Sequence, residues 1–180
     1  MILEFSLDRN DYLTYQLFEA SKSKKIKRFR IGARMLVSIV FFIYGLAAQG
    51  REDIVFSYIF FSIGVLWFFL YPLWNGKYYI THYGKLLDKS YKEQFGEKLT
   101  LEITKDSLIS ITKNSENKTS TNQIQEIIEI PTMILIKFKV YAYILPKDKI
   151  ADIKMIKKEL KELSDFLQIP YKIENNWKWK

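Results

Sequence analysis

The sequence predicts an α+β membrane protein, in which a two-helix transmembrane hairpin is joined to a small cytoplasmic antiparallel sheet closed by a C-terminal helix. Three observations predict it. Two long apolar runs, residues 31–48 and 54–74, are separated by only Gln49-Gly50-Arg51-Glu52-Asp53. From Glu97 onward the apolar period changes from 3.6 to 2, which is the change from helix to half-buried strand. After Pro146 a leucine–isoleucine stripe at helical spacing follows.

At the N-terminus, Ile2-Leu3-Glu4-Phe5-Ser6-Leu7 alternates apolar and polar residues and predicts a short strand. Asp8 is a candidate helix N-cap, with Asp11 well placed at a helix start. From Tyr12 to Ala20 the pattern is helical, with Leu13, Leu17 and Ala20 on one face. No Pro or Gly interrupts residues 8–31, so one helix can run into the first apolar segment, with a bend near residues 21–23.

Residues 54–74 carry no charge over 21 positions. At about 1.5 Å per residue this is roughly 31 Å, close to a hydrocarbon core of about 30 Å. Tyr71, Trp74, Tyr78 and Tyr79 sit at its far end, where amphipathic rings suit an interface. Residues 31–48 include Arg34, placed to snorkel back to headgroups. The competing reading is a buried helical hairpin in a soluble chain, which would need many more amphipathic helices than 180 residues supply here. Gly45, Ser57, Ser62 and Gly64 would let helices pack closely, within the hairpin or between protomers.

Lys22, Lys24, Lys25, Lys27, Arg28, Arg30 and Arg34 precede or open the first run without an intervening acid, and Lys77 and Lys85 follow the second. Lys and Arg beside membrane helices favour the cytoplasmic side. Both termini are therefore expected in the cytoplasm and the short loop outside, in the inner membrane of a bacterium with an AT-rich genome, as the Lys, Ile and Asn content suggests. The same basic residues, with Trp74 and Lys77, are the candidate contacts to the membrane interface or to anionic lipid; setting topology is the plainer role for them. Nucleic acid is not an expected partner despite the net charge of +8, because the charge concentrates beside an apolar helix. The expected partners are the bilayer and a protein engaging the cytoplasmic domain, with homo-oligomerisation left open. The start of the chain shows no basic n-region of a secretory signal.

Residues 75–96 predict a helical extension with Tyr83, Leu86, Leu87, Tyr91 and Phe95 in register and Gly96 as its stop. Residues 97–168 predict the cytoplasmic domain: five or six short strands, then a helix that Asp148 can cap, with Ile150, Ile153, Ile156 or Met155, Leu160, Leu163 and Leu167 as its stripe. Residues 169–180 are expected to be a disordered tail, whose Trp177-Lys178-Trp179-Lys180 would also suit headgroups.

Known catalytic patterns are missing. His82 is the only histidine and there is no cysteine, so zinc, thiol and Ser-His chemistries lack their residues. No phosphate-loop glycine pattern occurs, and neither apolar run has an ionisable residue at mid-depth. The expectation is a protein that is not an enzyme, with no catalytic residues, cofactor or metal.

The chain resembles the YcxB-like proteins of bacteria. The features that carry this are Asp11-Tyr12-Leu13, Ser21-Lys22-Ser23-Lys24 before the basic run, the tight hairpin, and Tyr143-Ile144-Leu145-Pro146-Lys147 before the final helix. The resemblance implies a C-terminal domain similar to bacterial pleckstrin-homology-like (PH-like) domains, in a reduced form because few strands are evident. It brings no catalytic residues. The functional expectation is a membrane-tethered, non-catalytic interaction or regulatory module that binds a protein partner or a lipid headgroup. The alternative is an immunity-type inhibitor that protects the cell from a membrane-acting toxin.

Overall fold

The computed structural model describes residues 1–51 and 53–179. Glu52 of the expected loop and Lys180 of the tail lie outside the described residues. The chain divides into a sheet unit, Met1–Tyr15 with Leu87–Lys178, and a helical unit, Gln16–Leu86 with Trp179.

The sheet unit holds two four-stranded sheets. The first has strands β1 (Ile2–Ser6), β2 (Lys98–Ile103), β3 (Ser107–Ile111) and β4 (Glu116–Ser120) in that order, all antiparallel. The second comprises β5 (Glu126–Glu129), β6 (Met133–Lys137), β7 (Ala142–Pro146) and β8 (Tyr171–Ile173), in the order β7-β6-β5-β8. β8 pairs parallel to β5, so this sheet is mixed. Alternation fixes the faces: Leu3 and Phe5 of β1, Leu101 and Ile103 of β2 and Leu108 of β3 are buried, while Glu4, Glu102 and Ser107 are not. β6 is instead buried at four successive residues, Met133–Ile136 in number order 133–136, so both of its faces are covered.

Sequence alternation finds β1, β2, β3, β5, β6 and β7 to within a few residues. It separates residues 1–30 from the sheet domain, whereas β1 pairs along β2, with Leu3 opposite Leu101 and Phe5 opposite Leu99. Pairing across a long intervening sequence leaves no local signal. The tail is also corrected: Tyr171–Ile173 is a strand, because β5 offers it a backbone ladder that its own three residues do not announce.

The final helix, α4 (Ile153–Phe166), is numbered after three earlier ones: α1 (Arg9–Lys22), α2 (Lys24–Gln49) and α3 (Ile54–Ser90). Asp152, not Asp148, caps α4 by accepting from the Met155 amide at 3.0 Å. Ile156, Leu160 and Leu163 form its buried stripe, while Met155 is exposed. α4 ends at Phe166 with Leu167 as its C-cap, and Gln168, at φ 54°, turns the chain in the left-handed region before Pro170.

The expected bend near residues 21–23 is a helix break. Ser23 stands between α1 and α2, and its Oγ accepts from the Ile26 amide at 3.3 Å as the N-cap of α2. α3 runs 37 residues, so the apolar run and the extension are one helix as far as Ser90. Gly96, at φ +78°, makes the turn into β2.

α2 and α3 are long and apolar enough to cross a membrane, and only 11% and 17% of their most apolar windows are buried. They meet through small residues. Ser38 Oγ donates to the Gly64 carbonyl at 3.1 Å and Ser57 Oγ to the Gly45 carbonyl at 2.9 Å. A Cβ on Gly45 would lie 2.6 Å from the Phe61 ring, and one on Gly64 3.1 Å from the Phe42 ring. Ser62 is exposed and takes no part in this contact.

Candidate functional sites

Two places carry the features of a binding surface, one in each unit. In the helical unit, Pro72 sits inside α3. Proline has no amide hydrogen, so the carbonyl four residues earlier, that of Phe68, loses its helical donor. Arg34 of α2 replaces it, with Nε donating to the Phe68 carbonyl at 2.8 Å and the guanidinium 3.7 Å from the centre of the Phe68 ring. Arg34 is thus fixed across the hairpin.

Lys27, Arg30, Ile31 and Arg34 recur three and four residues apart on α2, so they share one face. With Tyr71 and Pro72 they line a cleft of about 170 Å³. Three of these lining residues, Lys27, Arg30 and Arg34, are cations. Arg30 lies 5.1 Å from the ring centre of Trp179 and 5.8 Å from that of Tyr79. Trp179 is itself held by its Nε1, which donates to the Gly76 carbonyl at 3.0 Å, and by an edge contact with Tyr79. Beside the cleft is a wholly apolar groove of about 490 Å³ that includes Met35, Ile39, Phe42, Val65 and Phe68. Phe68 joins the two, since Arg34 stacks on its ring.

Of the residues expected at a membrane or lipid contact, the structure gathers Lys27, Arg30 and Arg34 into this cleft. Lys24, Lys25, Arg28 and Lys77 are exposed. Lys22 lies over the Phe18 ring at 5.2 Å. Trp74 is 59% exposed and stacks with Tyr78 at 5.9 Å. Tyr71 and Trp179 were expected to suit a membrane interface, but Pro72 was not among the expected contacts. The proline within an apolar helix was the available signal, because its orphaned carbonyl demands a donor.

In the sheet unit, two adjoining hollows of about 480 and 370 Å³ share Leu7, Tyr12, Leu99 and Thr112. The larger is bordered by residues of β4 and β7, which are edges of the two sheets. Tyr141 and Tyr143 bridge across it, hydrogen-bonded to Thr119 Oγ1 at 3.0 Å and Ser110 Oγ at 3.1 Å. Phe138 stacks on Tyr141 with ring centres 4.8 Å apart. Burial, and the nearby Tyr91, push the Tyr12 hydroxyl above the ordinary tyrosine range. The walls are therefore rings and neutral hydroxyls, with Lys118 as the charged side chain of the larger hollow and Glu93 and Glu97 in the smaller.

A third cluster is structural. Glu129, 4% exposed at the end of β5, accepts from Lys147 Nζ at 2.7 Å and the Tyr171 hydroxyl at 3.2 Å, and pairs with Lys157 Nζ at 2.6 Å. Burial pushes its carboxyl up, and the two ammonium groups outweigh this to hold it below the usual range. Burial and the Glu129 charge push the Tyr171 hydroxyl up in turn. The cluster ties α4, β8 and the end of β7 to β5. Among the described residues, no group of three or more His, Cys, Asp or Glu is placed to hold a metal ion. No protein-family model matches the chain, and no curated protein matches it significantly.

Proposed function

We infer that this chain is a two-span protein of a bacterial cytoplasmic membrane, of YcxB-like type, whose sheet unit is a PH-like, non-catalytic module that binds an extended segment of a protein partner. The observation that carries the binding role is the groove between the β4 and β7 edges. An edge strand presents backbone donors and acceptors that an added strand can pair with, while neighbouring hollows take its side chains. Rings and hydroxyls line this groove, so a phosphate finds little charge there and a peptide finds apolar and hydrogen-bonding surface.

Membrane insertion draws support from exposure. A soluble protein buries its most apolar helices, yet Leu36, Ile43, Val55, Phe69 and Leu73 are each at least 59% exposed. The PH-like reading draws support from seven antiparallel strands, β1 to β7, followed by α4. That is the full strand count rather than a reduced one, with β8 as an addition.

Photo-crosslinkers placed at Thr119 and Tyr141 in cells should give one discrete protein adduct, and crosslinkers on exposed Lys158 of α4 should not. Equal labelling at the three positions, or none, would sink the groove reading. Reporters fused after Lys180 and within residues 49–53 test the tether: a cytoplasmic C-terminus with an external loop is expected.

A further inference from the structure

We propose that the groove at the β4 and β7 edges takes a basic segment: an extended peptide whose Lys or Arg side chain enters the smaller hollow beside Glu93 and Glu97, while an apolar side chain on the same face of the peptide fills the larger hollow. The proposal rests on the peptide-binding reading above, and adds to it the chemistry of the partner and the way round it lies.

The two hollows are continuous. They share Leu7, Tyr12, Leu99 and Thr112, so one segment can pass from one into the other. A strand turns alternate side chains to one face, about 7 Å apart, and successive side chains on that face reach hollows that adjoin. Charge then sets the way round. Glu93 and Glu97 are the charged residues lining the smaller hollow, and Lys118 is the charged residue lining the larger. Glu97 is half-buried, and a carboxylate drawn partly out of water holds an ammonium or guanidinium more strongly than one on open surface. Lys118 disfavours a cation at the other end, so the basic side chain of the segment belongs with the two acids. Tyr12, which borders both hollows, supplies the polar contact between them. Its ring is set against Tyr91 and Phe95, with centres 5.5 and 5.8 Å away, and these rings also offer an apolar surface to the stem of a Lys or Arg. Burial, Tyr91 and the Glu97 charge keep the Tyr12 hydroxyl protonated, and so a donor for a peptide carbonyl. The chain as a whole carries a net charge of +8, which repels basic peptides. A preference for them would therefore come from this groove and not from the general field of the protein.

The full chain, held in nanodiscs of phosphatidylcholine, is panned against a displayed library of random linear peptides, and the recovered sequences are synthesised and titrated. Lys or Arg should be enriched next but one to an aromatic or aliphatic residue. Binding of these peptides should weaken about tenfold in E93Q/E97Q and fall as salt is raised, while K118Q binds them at least as tightly as the parent does. Recovered peptides without a basic preference, or equal affinity for the parent and E93Q/E97Q, would overturn the proposal and leave the peptide-binding reading standing. A library that yields no binder, or peptides that bind T119A/Y141A as well as the parent, would sink the groove reading itself and this proposal with it. The preference shown by the unmodified chain decides the matter even if a variant misfolds.

Discussion

Arg34 offers a test of the helical unit in which the magnitude follows from the geometry. Pro72 removes the donor that would satisfy the Phe68 carbonyl, and Arg34 Nε supplies another at 2.8 Å. A hydrogen bond from a charged group contributes about 1.5–3 kcal/mol, and an orphaned carbonyl away from water costs about 1–3 kcal/mol. The stacking of Arg34 on Phe68 adds about 0.5–2 kcal/mol. R34L removes all of these, but it also removes the cost of placing a cation beside apolar surface, so its effect alone has no secure sign. A double-mutant cycle cancels that cost. In P72A the residue 72 amide can again bond to the Phe68 carbonyl, and Arg34 is no longer its only donor. R34L should then be milder in P72A than in the parent, with a coupling of about 1–3 kcal/mol. The assay is reversible unfolding of the four proteins in mixed micelles, followed by helical ellipticity. Equal effects of R34L in both backgrounds, to within about 0.5 kcal/mol, would refute the replacement of one donor by the other.

Other outcomes follow from the same coordinates. E129A strands Lys147 and Lys157 beside a buried site and should destabilise the sheet unit by about 3–5 kcal/mol in denaturant unfolding. The Glu129 carboxyl is held below its ordinary value of 4.5, so its contribution is present above that pH and is lost as pH falls through the lower folded value; E129Q should flatten the acid limb of the stability profile. G45A drives a Cβ to 2.6 Å from Phe61 and should cost about 1–3 kcal/mol, whereas G32A meets nothing within 4 Å and should gain about 0.5–1 kcal/mol in the same micelle assay. Deleting residues 1–6 removes buried Leu3 and Phe5 and bares the β2 edge, so amide exchange should accelerate throughout β2 and β3.

Local periodicity made most of the elements legible. The two apolar helices follow from uninterrupted hydrophobic runs, whereas the break at Ser23, expected only as a bend in one helix, is a separate helix start that Ser23 caps. What stayed hidden depends on partners distant in sequence. β1 and β2 are about 95 residues apart, yet their pairing joins the N-terminus to the sheet. Residues 171–173 are too short for alternation to register, and only the β5 ladder makes them a strand. No local pattern marks Glu129, between Ile128 and Ile130, as a buried acid. Its burial is set by Lys147, Lys157 and Tyr171, which arrive from three later segments. The basic run was visible as charge, but charge alone does not say which cations converge. That required the helical face shared by residues 27, 30 and 34, and the proline across from them.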